Sequence, residues 1–250
     1  MIKEISINAE ARGEQQVPAY LVSPDKTGKY PALIIIHEIW GLNENIKDVT
    51  RRLSAQGYLA LAPNLFWDSG IEGEVDEKLL QELANPATRD EAQKKLRAAL
   101  APIRTPEFGA KTLQNLRACF SFLQQQPNAS GAVGVIGFCF GGTYSFALAT
   151  HEPTLKAAVP FYGRPPEPAD TIANIRCPVF AFYGELDTEL VKGIPALEQK
   201  MKEYGKDFRH IVYPGTGHAF FNDTNPNVYN KPAADDAWQK TLSFLSENLK

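Results

Sequence analysis

The residues of this chain best suited to chemistry are a cysteine, a histidine and two acids, each set in a glycine-marked turn. The sharpest segment is Val133-Gly-Val-Ile-Gly137-Phe-Cys139-Phe-Gly141-Gly142. An apolar β-type run precedes Cys139 and a helical pattern follows it. Glycines stand two residues to either side, which is the layout of a nucleophile elbow with cysteine in the place usual for serine. Such a turn is too tight for side chains beside the nucleophile, so Gly137 and Gly141 are required on steric grounds. It lifts the nucleophile above a sheet at the start of a helix. The amide N–H groups and positive dipole end there favour a thiolate and a developing oxyanion.

A thiol needs a base before it can attack, and imidazole is the side chain that accepts and returns a proton near neutral pH. The chain has four histidines: His37, His151, His210 and His218. Only His218 lies in a glycine-rich loop, Tyr213-Pro-Gly-Thr-Gly-His218-Ala-Phe220, after the last apolar strand pattern. His151 ends a helical segment and His210 lies inside a strand pattern, so both read as structural or solvated. Between Cys139 and His218 comes Tyr183-Gly-Glu185-Leu-Asp187, an acidic turn directly after an apolar run. The order nucleophile, acid, histidine is that of the α/β-hydrolase triad, with Asp187 as the acid and Glu185 as its competitor. A carboxylate on the far ring nitrogen would fix the tautomer and stabilise the imidazolium.

The first long apolar strand ends in Ile36-His37-Glu38-Ile39-Trp40-Gly41-Leu42-Asn43. In this architecture that loop supplies one oxyanion donor and the residue after the nucleophile supplies the other. The expected donors are therefore the N–H groups of Ile39 and Phe140. A carboxylate beside an oxyanion hole would repel the charge it stabilises, so Glu38 needs another role or points away.

The elements that must position these groups alternate strand and helix. Ile2–Ile7 and Val17–Val22 read as antiparallel strands leading into the sheet. Short apolar runs at Pro31–Ile36, Tyr58–Ala62, Ala132–Ile136, Ala157–Pro160, Val179–Tyr183 and Phe208–Tyr213 read as buried strands. Helical patterns cover Asn43–Gln56, Lys111–Gln126, Phe140–Ala149 and Ala233–Leu249. Residues 66–108 depart from the alternation: they are charged, are punctuated by Pro86, Pro102 and Pro106, and carry helical stretches at Val75–Leu83 and Arg89–Leu100. They read as an excursion or partial cap. The expectation is one α/β domain over residues 1–250, with a mostly parallel central sheet and helices on both faces.

Bulk properties narrow the classes further. The 250 residues carry a formal net charge of −3, with 44% hydrophobic and 22% charged side chains. That is ordinary for a soluble globular protein and lacks the basic face a nucleic-acid partner needs. No segment approaches the roughly 20 apolar residues of a membrane span, and the opening MIKEISINAE has no signal-like apolar run. A cytoplasmic location is expected. The three cysteines, Cys119, Cys139 and Cys177, argue against a disulfide framework and lack metal-ligand spacing. Cys119 and Cys177 are expected in the core. No metal and no cofactor are called for.

Together, Glu38-Ile-Trp-Gly-Leu-Asn43, Gly137-Phe-Cys139-Phe-Gly-Gly142, Asp187 and His218-Ala-Phe220 resemble the dienelactone hydrolase (carboxymethylenebutenolidase) family, in order and over nearly the whole chain. The resemblance implies a Cys139–His218–Asp187 triad acting on a small ester or lactone, in a monomer. It also implies that Glu38 partners the Cys139 thiol at rest and is displaced when substrate binds. Family members acting on carboxylated lactones carry an arginine just after His-x-Phe, whereas this chain reads His218-Ala-Phe-Phe-Asn222-Asp223. Arg89, Arg97 or Arg104 could serve instead. Tyr162, Trp40 and Phe220 are expected to line the substrate site. Two alternatives stay open: a broader esterase or thioesterase for uncharged esters, and a non-catalytic redox-sensing thiol protein.

Overall fold

The computed structural model describes residues 1–9, 16–71, 77–85 and 87–250. Among the described residues, eight strands form one sheet: β1 (Ile2–Asn8), β2 (Gln16–Val22), β3 (Tyr30–Ile36), β4 (Leu59–Pro63), β5 (Ala129–Phe138), β6 (Ala157–Phe161), β7 (Val179–Gly184) and β8 (Phe208–Tyr213). Their order is β1-β2-β4-β3-β5-β6-β7-β8. The β1–β2 and β2–β4 pairs are antiparallel, and every later pair is parallel. The central strands are apolar along their length because helices cover both of their faces. In β3, Ile34 and Ile36 face one core while Leu33 and Ile35 face the other.

The helices divide accordingly. α4 (Pro106–Gln124), α5 (Phe140–His151) and α6 (Thr188–Glu203) pack on the side of Ile34 and Ile36 through Leu116, Phe120, Phe146, Leu148, Ile194 and Leu197. On the side of Leu33 and Ile35 lie α1 (Glu44–Ala55) and α7 (Lys231–Leu249), which bury Ile46, Val49, Leu53, Phe244 and Leu245. Between β4 and α4 the chain leaves the sheet to form α2 (Glu77–Ala84), α3 (Arg89–Ala99) and a 3₁₀ turn, Pro102–Arg104. Val75 and Pro86, which belong to the sequence reading of this stretch, lie outside the described residues.

Local signals explain where helices begin. Asn43 caps α1 by accepting from the Ile46 amide at 3.2 Å. Thr105 caps α4 from Phe108 at 3.1 Å, and Pro106 occupies its first turn, where proline's missing N–H costs nothing. α4 therefore starts five residues before the expected Lys111. Two later helices break the capping rule. α5 and α6 begin at Cys139 and Asp187, and neither side chain caps its own helix.

Among the described residues, no helix is long and apolar enough to cross a membrane. Cys119 and Cys177 are buried in the core, and burial pushes both thiols up to about 12. Both are therefore poor nucleophiles at neutral pH, whereas Cys139 is half-buried.

Candidate active site

All the parallel strands end at one edge of the sheet, and the loops beyond that edge bring the chemically capable residues together. Cys139 sits between β5 and α5 with φ 55° and ψ −110°, a left-handed conformation that L-residues rarely adopt. Contacts on both sides hold the strain. The Cys139 amide donates to Phe161 O at 3.0 Å, and the Gly141 amide donates to His37 O at 3.1 Å. The turn closes so tightly that a Cβ on Gly137 would lie 2.0 Å from Gly141 O, and one on Gly141 would lie 2.2 Å from Ile36 O. Gly137→Ala is therefore expected to destabilise the fold by roughly 4 kcal/mol or more, the exceptional end of the range for single changes. Urea titration measures this; a loss under 1 kcal/mol would mean the turn relaxes freely.

The first amides of a helix have no acceptor within it; in α5 the Gly141 amide is taken by His37 O and the Cys139 side chain caps none. Phe140 supplies the first of them. Ile39 lies in the turn after β3, partly exposed, with Trp40 beside it.

The histidine loop crosses the end of β7. A Cβ on Gly184 would lie 2.4 Å from both Thr216 O and Gly217 O, so only glycine admits this crossing. Three bonds strap the acidic turn to that loop: Glu185 N to Tyr213 O (3.0 Å), Leu186 N to Thr216 O (2.9 Å), and Gly215 N to the Glu185 carboxylate (2.8 Å). Glu185, the competing acid, is exposed and bonded to that backbone. Asp187 instead meets His218, Oδ2 against Nδ1. Aspartate at a helix start ordinarily caps it; here the carboxylate goes to the imidazole. The ring also lies close enough to Cys139 for the thiol to raise its proton affinity. Burial lowers the proton affinity of His218, but the bonds and charges of Asp187 and Cys139 outweigh it and raise the pKa from 6.5 to about 10.

Glu38 is 3% exposed. Its Oε1 accepts from the Tyr162 hydroxyl at 3.1 Å and its Oε2 from Asn222 Nδ2 at 2.7 Å. Burial raises its pKa, against the pull of the Asn222 bond, the His218 charge and the Tyr162 bond. The arrangement differs from the resting pair that the resemblance implies: both oxygens of Glu38 are bonded to Tyr162 and Asn222. Asn222 carries no mark in the sequence beyond standing where the resembled family has an arginine nearby. Its Oδ1 accepts from the Thr224 amide (3.1 Å) and hydroxyl (2.6 Å), which turns the NH₂ toward Glu38. The one sequence signal for it is an amide side chain in the histidine loop, four residues past His218.

Two expected substrate-lining residues are buried. Phe220 is fully buried, 5.5 Å from the ring of Tyr162 and 5.2 Å from that of Tyr213. Ala219, at φ 61°, reverses the chain after His218 and sends Phe220 into the core. Tyr162 is also buried, at φ 40°, with its hydroxyl committed to Glu38 and its ring 4.9 Å from His218. It borders the site as a support for other side chains. Of the arginines weighed as anion binders, Arg89 donates to Leu83 O at 3.1 Å, and Arg97 and Arg104 are exposed. His151 is exposed at the end of α5, and His210 lies 3.4 Å from Glu198 on β8.

Residues 17–249 match the model of the dienelactone hydrolase family. The chain is 34% identical to a protein of Saccharolobus solfataricus named "Putative carboxymethylenebutenolidase", with 98% of each chain covered. A Synechocystis protein of the same name is also 34% identical, over 94% of this chain and 93% of the relative. Among solved structures, the "Putative Dienelactone Hydrolase" of Klebsiella pneumoniae superposes with a TM-score of 0.80 at 28% identity, over 98% of both chains.

Proposed function

The chain belongs to the dienelactone hydrolase family and is a hydrolase of ester and lactone bonds, and from that premise we propose that Cys139 is its nucleophile, with His218 as base and Asp187 as the acid behind it. The observation that carries this reading is the hydrogen bond from Asp187 to His218, set beside a strained, half-buried Cys139 at the start of a helix that its side chain does not cap. Backbone strain of this kind concentrates at sites where geometry serves chemistry.

The reaction follows from the parts. The Cys139 sulfur attacks the carbonyl carbon as the thiolate, leaving its proton on His218. The carbonyl electrons move onto oxygen, which the N–H groups of Ile39 and Phe140 receive. Donors preorganised in this way contribute about 2.7–4 kcal/mol each. Collapse of the tetrahedral intermediate breaks the C–O bond and expels an alkoxide or enolate, which takes the proton from His218. In a lactone the leaving oxygen stays tethered to the acyl group. Water, deprotonated by His218, then hydrolyses the thioester, releasing the carboxylic acid and restoring the thiol. Asp187 holds the imidazole in the tautomer that faces sulfur. Glu38 is held by Tyr162 and Asn222, and the nearby His218 charge favours its ionised form against burial. The reading includes a small-molecule substrate, a monomeric cytoplasmic enzyme and no cofactor.

A second reading concerns substrate charge. The segment following His218-Ala-Phe carries Asn222 and Asp223 in place of an arginine, and Asn222 is bonded to Glu38. This favours uncharged esters over carboxylated lactones. The test compares a carboxylated dienelactone with neutral aryl esters by absorbance, and traps the acyl-enzyme by acid quench for mass determination. An acyl mass on the peptide carrying Cys139 is expected. An acyl group found elsewhere defeats the nucleophile assignment, and a marked preference for the carboxylated lactone defeats the second reading.

A further inference from the structure

His37 is a buried histidine that the proposed chemistry does not use, yet its ring joins the two segments that would supply the oxyanion donors. It is fully buried at the end of β3. Its Nε2 accepts from the Leu65 amide at 3.1 Å. A nitrogen that accepts carries no proton, so the proton of the neutral ring is on Nδ1. Nδ1 lies 2.6 Å from Glu38 O and donates to it. The Gly41 amide donates to that same carbonyl at 3.2 Å. The ring lies edge-on to Phe66, with centroids 4.5 Å apart, and nearly parallel to Phe140, at 5.7 Å and 10°. Its backbone carbonyl receives the Gly141 amide.

The consequence lies in one peptide plane. The unit joining Glu38 and Ile39 is planar and trans, so its C=O and N–H point in opposite directions. Holding Glu38 O against the His37 ring aims the Ile39 N–H the other way. We propose that His37 is a positioning residue for the oxyanion hole, orienting the Ile39 N–H through Nδ1–H···O=C of Glu38 and bracing Phe140 by stacking. It touches neither substrate nor sulfur. This role rests on the nucleophile and oxyanion assignments above. Burial lowers the His37 pKa to about 4, so the ring keeps its neutral, donating tautomer throughout the range in which esters are assayed.

The decisive comparison is between His37→Asn and His37→Gln. The shorter amide reaches the Nδ1 position and keeps the donor to Glu38 O. The longer one reaches the Nε2 position and keeps only the bond to Leu65. His37→Gln and His37→Phe are expected to lower kcat by about 10- to 100-fold, less than the roughly 10²- to 10³-fold of deleting a donor outright, with KM within twofold. His37→Asn should recover most of kcat. Two further measurements separate positioning from general damage. The rate of Cys139 alkylation by iodoacetamide, which forms no oxyanion, should stay within twofold in every variant. The affinity of a trifluoromethyl ketone, whose thiolate adduct carries an oxyanion, should fall by the same factor as kcat.

Equal kcat in the Asn and Gln variants, or ketone affinity unchanged while kcat falls, overturns the role of His37. So does alkylation lost in step with kcat, which marks simple collapse of the site. Should His37→Phe fail to fold, the Asn and Gln pair decides alone. If the ketone does not inhibit the wild type, or inhibits Cys139→Ala equally well, the nucleophile assignment fails and the role of His37 fails with it.

Discussion

Cys139→Ala is expected to lower kcat for ester hydrolysis by about 10⁴- to 10⁶-fold, with KM changed little. The range follows from what the substitution removes and what it leaves. Without sulfur there is no covalent route, and water must attack the carbonyl directly. The amide donors and the binding surface remain, and in comparable triads these alone keep about 10³- to 10⁴-fold over the uncatalysed rate. The fold should be untouched, because the strain at φ 55° is held by backbone bonds to Phe161 and His37 and by neighbouring glycines, none of which involves the thiol. Initial rates on an aryl ester, with denaturation midpoints measured alongside, check both statements. Turnover within tenfold of the wild type would remove Cys139 from the mechanism and move the search to another nucleophile or to direct attack by water.

Asp187→Asn carries the second large effect, a fall of about 10²- to 10⁴-fold in kcat with the site geometrically intact. The carboxylate can only accept, so Nδ1 must carry a proton and the other ring nitrogen is left to deal with sulfur. An amide can offer N–H to Nδ1 instead, which puts the ring proton on the wrong side. The upper figure is the loss measured for the equivalent change in a serine triad. The pH behaviour should move as well. His218 is held up at about 10, with Asp187 the largest raising influence. Its proton is bound more tightly in the folded than in the unfolded chain. That contribution to stability is therefore complete below about pH 6.5 and disappears as the pH rises through about 10. In Asp187→Asn the alkaline loss should begin at lower pH, and alkylation of Cys139 at neutral pH should slow because less imidazolium faces the sulfur. Unfolding midpoints from pH 6 to 10 give the first result and iodoacetamide kinetics the second. Profiles that overlay the wild type would mean that Asp187 does not govern the charge of His218.

Much of the fold was readable because its strands are buried on both faces. Runs such as Pro31–Ile36 and Tyr58–Ala62 are apolar without interruption, and only a parallel sheet covered on both sides favours that. α6 was not. It carries Gly193 and Pro195, residues that weaken any local helix signal, and proline inside a helix removes a bond from its ladder. Burial of Ile194, Leu197 and Met201 against the sheet overrides those costs, and that compensation is invisible without the partner surface. The start of α4 was hidden for the opposite reason. Pro106 reads as a break, yet in the first turn after a Thr105 cap it helps the helix begin.

The amino-acid sequence by itself determined the mostly parallel α/β sheet and which cysteine, histidine and acid fall in chain order beside glycine-marked turns. Those features are local, since apolar runs, turn glycines and the order of motifs need no knowledge of distant neighbours. Only the tertiary structure decided the pairings across the chain. It joined Asp187, not Glu185, to His218. It turned Phe220 into the core, and it gave Glu38 to Tyr162 and Asn222 instead of to Cys139. It also gave His37 a place between two loops that are far apart in sequence. A buried polar group must find a partner because leaving it unpaired costs about 1–3 kcal/mol. Which partner it finds depends on where the sheet edge brings the loops together.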